Sequence, residues 1–123
     1  MEKETKTWGS YKNLLVWKKS IELVVQIYTI TKKYPKDELF GLISQSRRSA
    51  VSIPSNIAEG QSRGTKKDFI HFLHIAYASG AELETQVLIA EKVGYLSSGD
   101  CVLLFEKLNE VLSMLKGLIE SLK

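Results

Sequence analysis

Residues 97–122 read SSGDCVLLFEKLNEVLSMLKGLIESL. Within this run Cys101, Leu104, Leu108, Val111, Leu115, Leu118 and Leu122 recur at alternating spacings of 3 and 4. That rhythm places them on one stripe of an α-helix, because the helix repeats every ~3.6 residues. Phe105, Leu112 and Ile119 form a second row beside the first. Two rows are more than a two-helix seam needs, so this helix is expected to bury more than one side. Ser97 or Ser98 supplies an N-cap oxygen.

Working back along the chain, Gly94-Tyr95-Leu96 separates this helix from an earlier one over residues 66–93. Thr65 is its expected cap, with Asp68 three residues on in an approximate capping box. Phe69, Phe72, Ala76, Gly80, Leu83, Val87 and Ala90 make its stripe. Glycine inside a helix costs roughly 1 kcal/mol against alanine, so Gly80 implies a close approach by another helix. The thin patch around it, with the wide fourth helix, suggests self-association. Before the polar loop GQSRGT at 60–65, a helix is expected from Pro35 or Asp37 to about Glu59. Leu39, Ile43, Ser46, Ala50, Ile53 and Ile57 keep one apolar register through it. Pro54 lies inside and predicts a kink, with Gly60 as the stop. The first helix is expected over residues 12–33, on a stripe of Leu14, Trp17, Ile21, Val24 and Tyr28, and Tyr34-Pro35 ends it.

Four long segments with short connections predict an all-α, antiparallel up-down-up-down four-helix bundle, its second helix kinked at Pro54. Composition agrees. The 123 residues are 44% hydrophobic and hold only 2 prolines and 8 glycines, with no Asn-Gly or Asp-Gly pair. A β-sandwich or barrel would need far more turn residues. Residues 1–10 read as a flexible tail and 11–123 as one domain. The 1 cysteine, Cys101, can form neither an internal disulfide nor a thiolate zinc site. No apolar run approaches the roughly 18 residues of a membrane helix, and MEKETKTWGS lacks a signal-type apolar core. A cytoplasmic protein with no membrane contact is expected.

The net charge of +3 is small but unevenly placed. Residues 1–67 hold 13 Lys and Arg against 6 Asp and Glu, a balance of +7; residues 68–123 hold 4 against 8, a balance of −4. A basic face and an acidic face follow. Arg47, Arg48, Arg63, Lys66 and Lys67, with Lys18 and Lys19 on the first helix, are the candidate phosphate-neutralising residues. Trp8, Tyr11 and Trp17 could stack bases, although such residues usually pack. Asp68, His71 and His74 share a helix, but a di-iron bundle needs a second such unit. No metal, no cofactor and no catalytic residue are expected.

One run does not read as ordinary bundle sequence: SIPSNIAEG, residues 52–60, with Ser52, Pro54, Ser55, Asn56, Glu59 and Gly60. Ser52, Ser55 and Asn56 could serve backbone groups that Pro54 frees, and Glu59 could pair with Arg47, Arg48 or a neighbouring subunit. With Tyr34-Pro35, Asp68-Phe69, Phe72-Leu73 and Gly94-Tyr95-Leu96, the chain resembles over residues 11–118 the bacterial four-helix bundle proteins encoded by intervening sequences of 23S ribosomal RNA genes. That resemblance implies a homo-oligomeric ring, typically a pentamer. A similar bundle is the accessory protein of diversity-generating retroelements, which partners a reverse transcriptase and touches nucleic acid. The expectation is therefore a non-enzymatic oligomeric bundle binding RNA or DNA through a basic surface. The alternative is a scaffold or accessory subunit for a separately encoded enzyme.

Overall fold

The computed structural model describes residues 10–123. The expected tail over residues 1–10 therefore falls almost wholly outside the described residues, as does Trp8. Four helices follow in order: α1 (Leu15–Thr31), α2 (Ser44–Ser62), α3 (Lys66–Lys92) and α4 (Ser98–Leu122). Each packs on the next and α4 closes onto α1, with α2 and α3 the most closely paired. Cross-links show the antiparallel sense. Lys33 faces Asp100, Glu22 faces Lys107 and Lys19 faces Glu110, so numbers fall along α1 as they rise along α4. Two expected caps form: the Asp68 N–H donates to Thr65 Oγ1 and the Asp100 N–H to Ser97 Oγ, each at 3.1 Å. The turns before α3 and after it use Gly64 and Gly94, both at φ +89°, where glycine carries no Cβ penalty.

The α4 stripe is buried as expected from Cys101 to Leu115, with Leu118 and Leu122 partly covered. On α3, Leu73 joins the buried stripe. Gly80 does mark a close approach, and the partner is within the chain: a Cβ there would overlap the Leu112 side chain of α4.

Three expectations change. The buried row of α1 is Val16, Ser20, Leu23, Ile27, Ile30 and Thr31. The expected row lies beside it, with Trp17 and Val24 half-buried and Ile21 and Tyr28 exposed. Two polar residues mislead the reading. Ser20 Oγ donates to the Trp17 carbonyl and Thr31 Oγ1 to the Ile27 carbonyl, both at 2.7 Å. Hydroxyls satisfied by their own helix can go inside.

Second, Gly60 does not stop α2, which continues to Ser62. It is a packing glycine. A Cβ at Gly60 would lie 2.7 Å from Phe72 Cβ and 3.3 Å from Phe69.

Third, the kink expected at Pro54 is not confirmed. Helix α2 is unbroken through Pro54, whose ring is buried, and the departure from helical geometry lies upstream at Gly41 (φ −112°, ψ −111°). Regular helix begins only at Ser44; a short 3₁₀ turn (Lys36–Glu38) and a wide π-type turn (Leu39–Ile43) precede it. Such single wide turns interrupt helices where the local backbone register must shift. Here Glu38 fixes it. Its Oε1 accepts the Leu42 N–H at 3.0 Å, and a Cβ on Gly41 would sit 2.8 Å from that oxygen.

Candidate functional site

The wide turn, the upper end of α1 and the first turns of α2 meet around an open groove. Tyr28 lines it from α1, Leu39 and Ile43 from the turn, and Arg47, Arg48 and Val51 from α2. Arg47 is held in place. Its Nε donates to Thr31 Oγ1 at 2.9 Å and its Nη2 to the Tyr28 carbonyl at 3.4 Å. Its guanidinium lies 4.5 Å above the Tyr28 ring, in cation–π range. Arg48, one residue on, is exposed. Among the described residues neither arginine forms an ion pair.

Apolar surface surrounds these charges. Leu39 is 50% exposed and Phe40 91% exposed. The turn that carries them is tied to the α3–α4 connection, because Tyr95 Oη donates to Glu38 Oε2 at 2.8 Å. Two donors, the Leu42 N–H first and the Tyr95 hydroxyl second, hold the Glu38 carboxyl below its usual range. The same bond pushes the Tyr95 phenol up. Tyr95 leans on Tyr34 at 5.5 Å between ring centres, and burial pushes the Tyr34 phenol up to about 12. Phe40 is thus presented from a turn tied down through Glu38.

The other basic candidates lie elsewhere. Arg63 follows α2 at its lower end, bonded to Glu59 Oε2 at 2.7 Å and 4.9 Å over the Phe72 ring. Glu59 therefore takes Arg63 as its partner and not Arg47 or Arg48. Lys66 and Lys67 are exposed on the first turn of α3. At ~1.5 Å per residue, Arg47 and Arg63 are about 24 Å apart along the axis. Lys19 reaches across to Glu110 of α4 at 3.6 Å, whereas Lys18 is exposed on α1. The sequence reading missed Leu39, Phe40 and Tyr28 as a surface. One signal was present: Phe40 falls off the apolar register expected for the second helix.

The SIPSNIAEG residues mostly face inward. Asn56 Nδ2 donates to the Ser52 carbonyl at 2.8 Å and to Ser52 Oγ at 2.9 Å. Ser52 Oγ in turn pairs with Ser79 Oγ of α3 at 2.8 Å. Ser55 is exposed. Cys101 is buried, and burial foremost, then Glu91, pushes its thiol up. Among the described residues no three His, Cys, Asp or Glu side chains gather as a metal site, and no helix is long and apolar enough to cross a membrane.

The sequence profile of the 23S rRNA-intervening sequence protein family matches residues 12–117. A crystal structure from Bacteroides thetaiotaomicron, of a protein of unknown function in the S23 ribosomal protein family, superposes with a TM-score of 0.80 at 26% identity. The alignment covers 86% of this chain and 96% of that one. No curated protein matches.

Proposed function

This chain belongs to the 23S rRNA-intervening sequence protein family, and we propose that it is a non-enzymatic, homo-oligomeric bundle that binds nucleic acid, RNA above all, through the basic side formed by α1 and α2. The observation that carries this reading is the pair Arg47 and Arg48 on an open groove whose lining, among the described residues, contains no carboxylate. Two guanidinium groups with no counter-ion among the described residues attract phosphate, and they do so without reading sequence. Lys18, Lys66 and Lys67 extend the positive field to the lower end. Assembly is supported by apolar side chains left exposed on the more acidic half, Leu88 and Ile89 of α3 and Val93 just after it, with Val102 and Leu103 of α4. A heterologous contact between unlike faces closes into a ring when its rotation permits, and the family resemblance implies a pentamer.

The test is a fluorescence-anisotropy titration of labelled RNA at rising salt, with sedimentation velocity on the same samples. Affinity should fall steeply with salt, and neutralising Arg47, Arg48, Arg63, Lys66 and Lys67 together should abolish it. Absence of binding at low salt overturns the reading. The second reading, a scaffold or accessory subunit for a separately encoded enzyme, is favoured by the same exposed apolar side chains. It predicts an oligomer indifferent to RNA.

A further inference from the structure

Charge alone would attract any polyanion, but the groove beside Arg47 and Arg48 has a second character. Its other lining is Tyr28, Leu39, Ile43, Ser44 and Val51. Tyr28, Leu39 and Val51 are all more than a third exposed, and Phe40 next to Leu39 is 91% exposed. A phenyl ring left in water costs free energy that a partner can recover. This ring is not on a loose loop. Its turn is anchored by the Leu42 and Tyr95 hydrogen bonds to Glu38, so little ordering entropy opposes contact.

A duplex presents phosphates outward and hides its base faces, so it could use the two arginines but not the apolar floor. An unpaired nucleotide offers both a phosphate and a planar, apolar face. Aromatic platforms beside cationic side chains suit such a strand. We propose that this groove and its rim are a site for unpaired nucleotides, with Arg47 and Arg48 taking phosphates, Leu39 and Val51 receiving base faces in the groove, and Phe40, next to Leu39 in the chain and outside the groove lining, stacking the base that follows. This rests on the nucleic-acid reading above and narrows it to single-stranded or looped RNA. The complementarity is specific in sign, since among the described residues the groove lining holds two cations and no carboxylate.

The experiment compares a labelled 12-nucleotide single-stranded RNA with a 12-base-pair RNA duplex, on the full chain and on Phe40→Ala. Phe40 packs on nothing that would unfold when it is removed, and thermal melting of the variant checks this. The single strand should bind about tenfold tighter than the duplex. Phe40→Ala should weaken single-strand binding about tenfold, as expected for one stacked base, and change duplex binding by less than about twofold. Arg48→Gln should weaken both. Equal affinity for strand and duplex, or an unaffected Phe40→Ala, overturns the proposal while leaving a basic-surface binder standing. No binding of either RNA at low salt overturns both. If Phe40→Ala instead dissociates the oligomer and leaves RNA affinity intact, the patch is a subunit interface and the proposal is wrong.

Discussion

The two halves of α2 make opposite use of one helix. From Ser52 to its lower end it is closed against α3. Gly60 admits Phe72, Ser52 meets Ser79, and Asn56 closes the network. From the wide turn at residues 39–43 to Val51 it buries Ile43, Ser46, Ser49 and Ala50 on one face but leaves the other open, with aliphatic and aromatic side chains in water and Arg48 exposed and unpaired among the described residues. The lower half carries the SIPSNIAEG run, residues 52–60. The residue types there answer to packing: a residue with no Cβ at one close contact, and Ser52 and Asn56 with Ser79 of α3 at another. A binding surface needs no such exactness, and the open half is the better candidate for function.

The largest expected effect breaks the closed half. Gly60→Ala gains up to about 1 kcal/mol in helix propensity, yet its methyl would collide with Phe72 Cβ. Overpacking of this kind costs about 1–3 kcal/mol, so urea unfolding should show net loss. Gly117 is the control. It lies inside α4, and a methyl added there would meet nothing within 4 Å, so Gly117→Ala should stabilise by up to about 1 kcal/mol. Next in size, Ser79→Ala removes the partner of Ser52 and should cost about 1 kcal/mol in the same assay.

In the open half the effects are local. Glu38→Ala should speed hydrogen exchange at the Leu42 amide and leave distant α3 amides unchanged. Acid should mimic it. The folded Glu38 carboxyl is held below its ordinary value of 4.5. Its contribution is therefore complete above that value and is lost as pH falls through the lower folded one. Amide exchange at Leu42, corrected for its intrinsic pH dependence, should report that loss in the native chain and not in Glu38→Ala. Smallest of all, Phe40→Ala should alter global stability by less than about 0.5 kcal/mol, because the ring is already in water.

The bundle was legible in the sequence because long amphipathic periods and two prolines leave little else. Three details were hidden for physical reasons. Ser20 and Thr31 look like surface residues until their back-bonds to Trp17 and Ile27 carbonyls are seen. Gly60 reads as a stop because sequence does not show Phe72 lying across it. Pro54 drew the expected kink, yet the irregular backbone lies at Gly41, where the Glu38 carboxylate competes for the helix's own donor. The basic residues were all visible by composition. Their division between an upper groove, a lower end and an ion pair with α4 depended on the fold.

We expect nucleic acid to meet the open upper face and not residues 52–60. The direct measurement is affinity for a single-stranded RNA against salt in the native chain, Arg48→Gln and Ser55→Ala, the last being an exposed member of that run. Arg48→Gln is expected to weaken binding and flatten the logarithmic salt slope by about 0.7, one phosphate contact on a single strand, while Ser55→Ala changes neither. An unchanged slope in Arg48→Gln, or a loss of binding in Ser55→Ala, would contradict it.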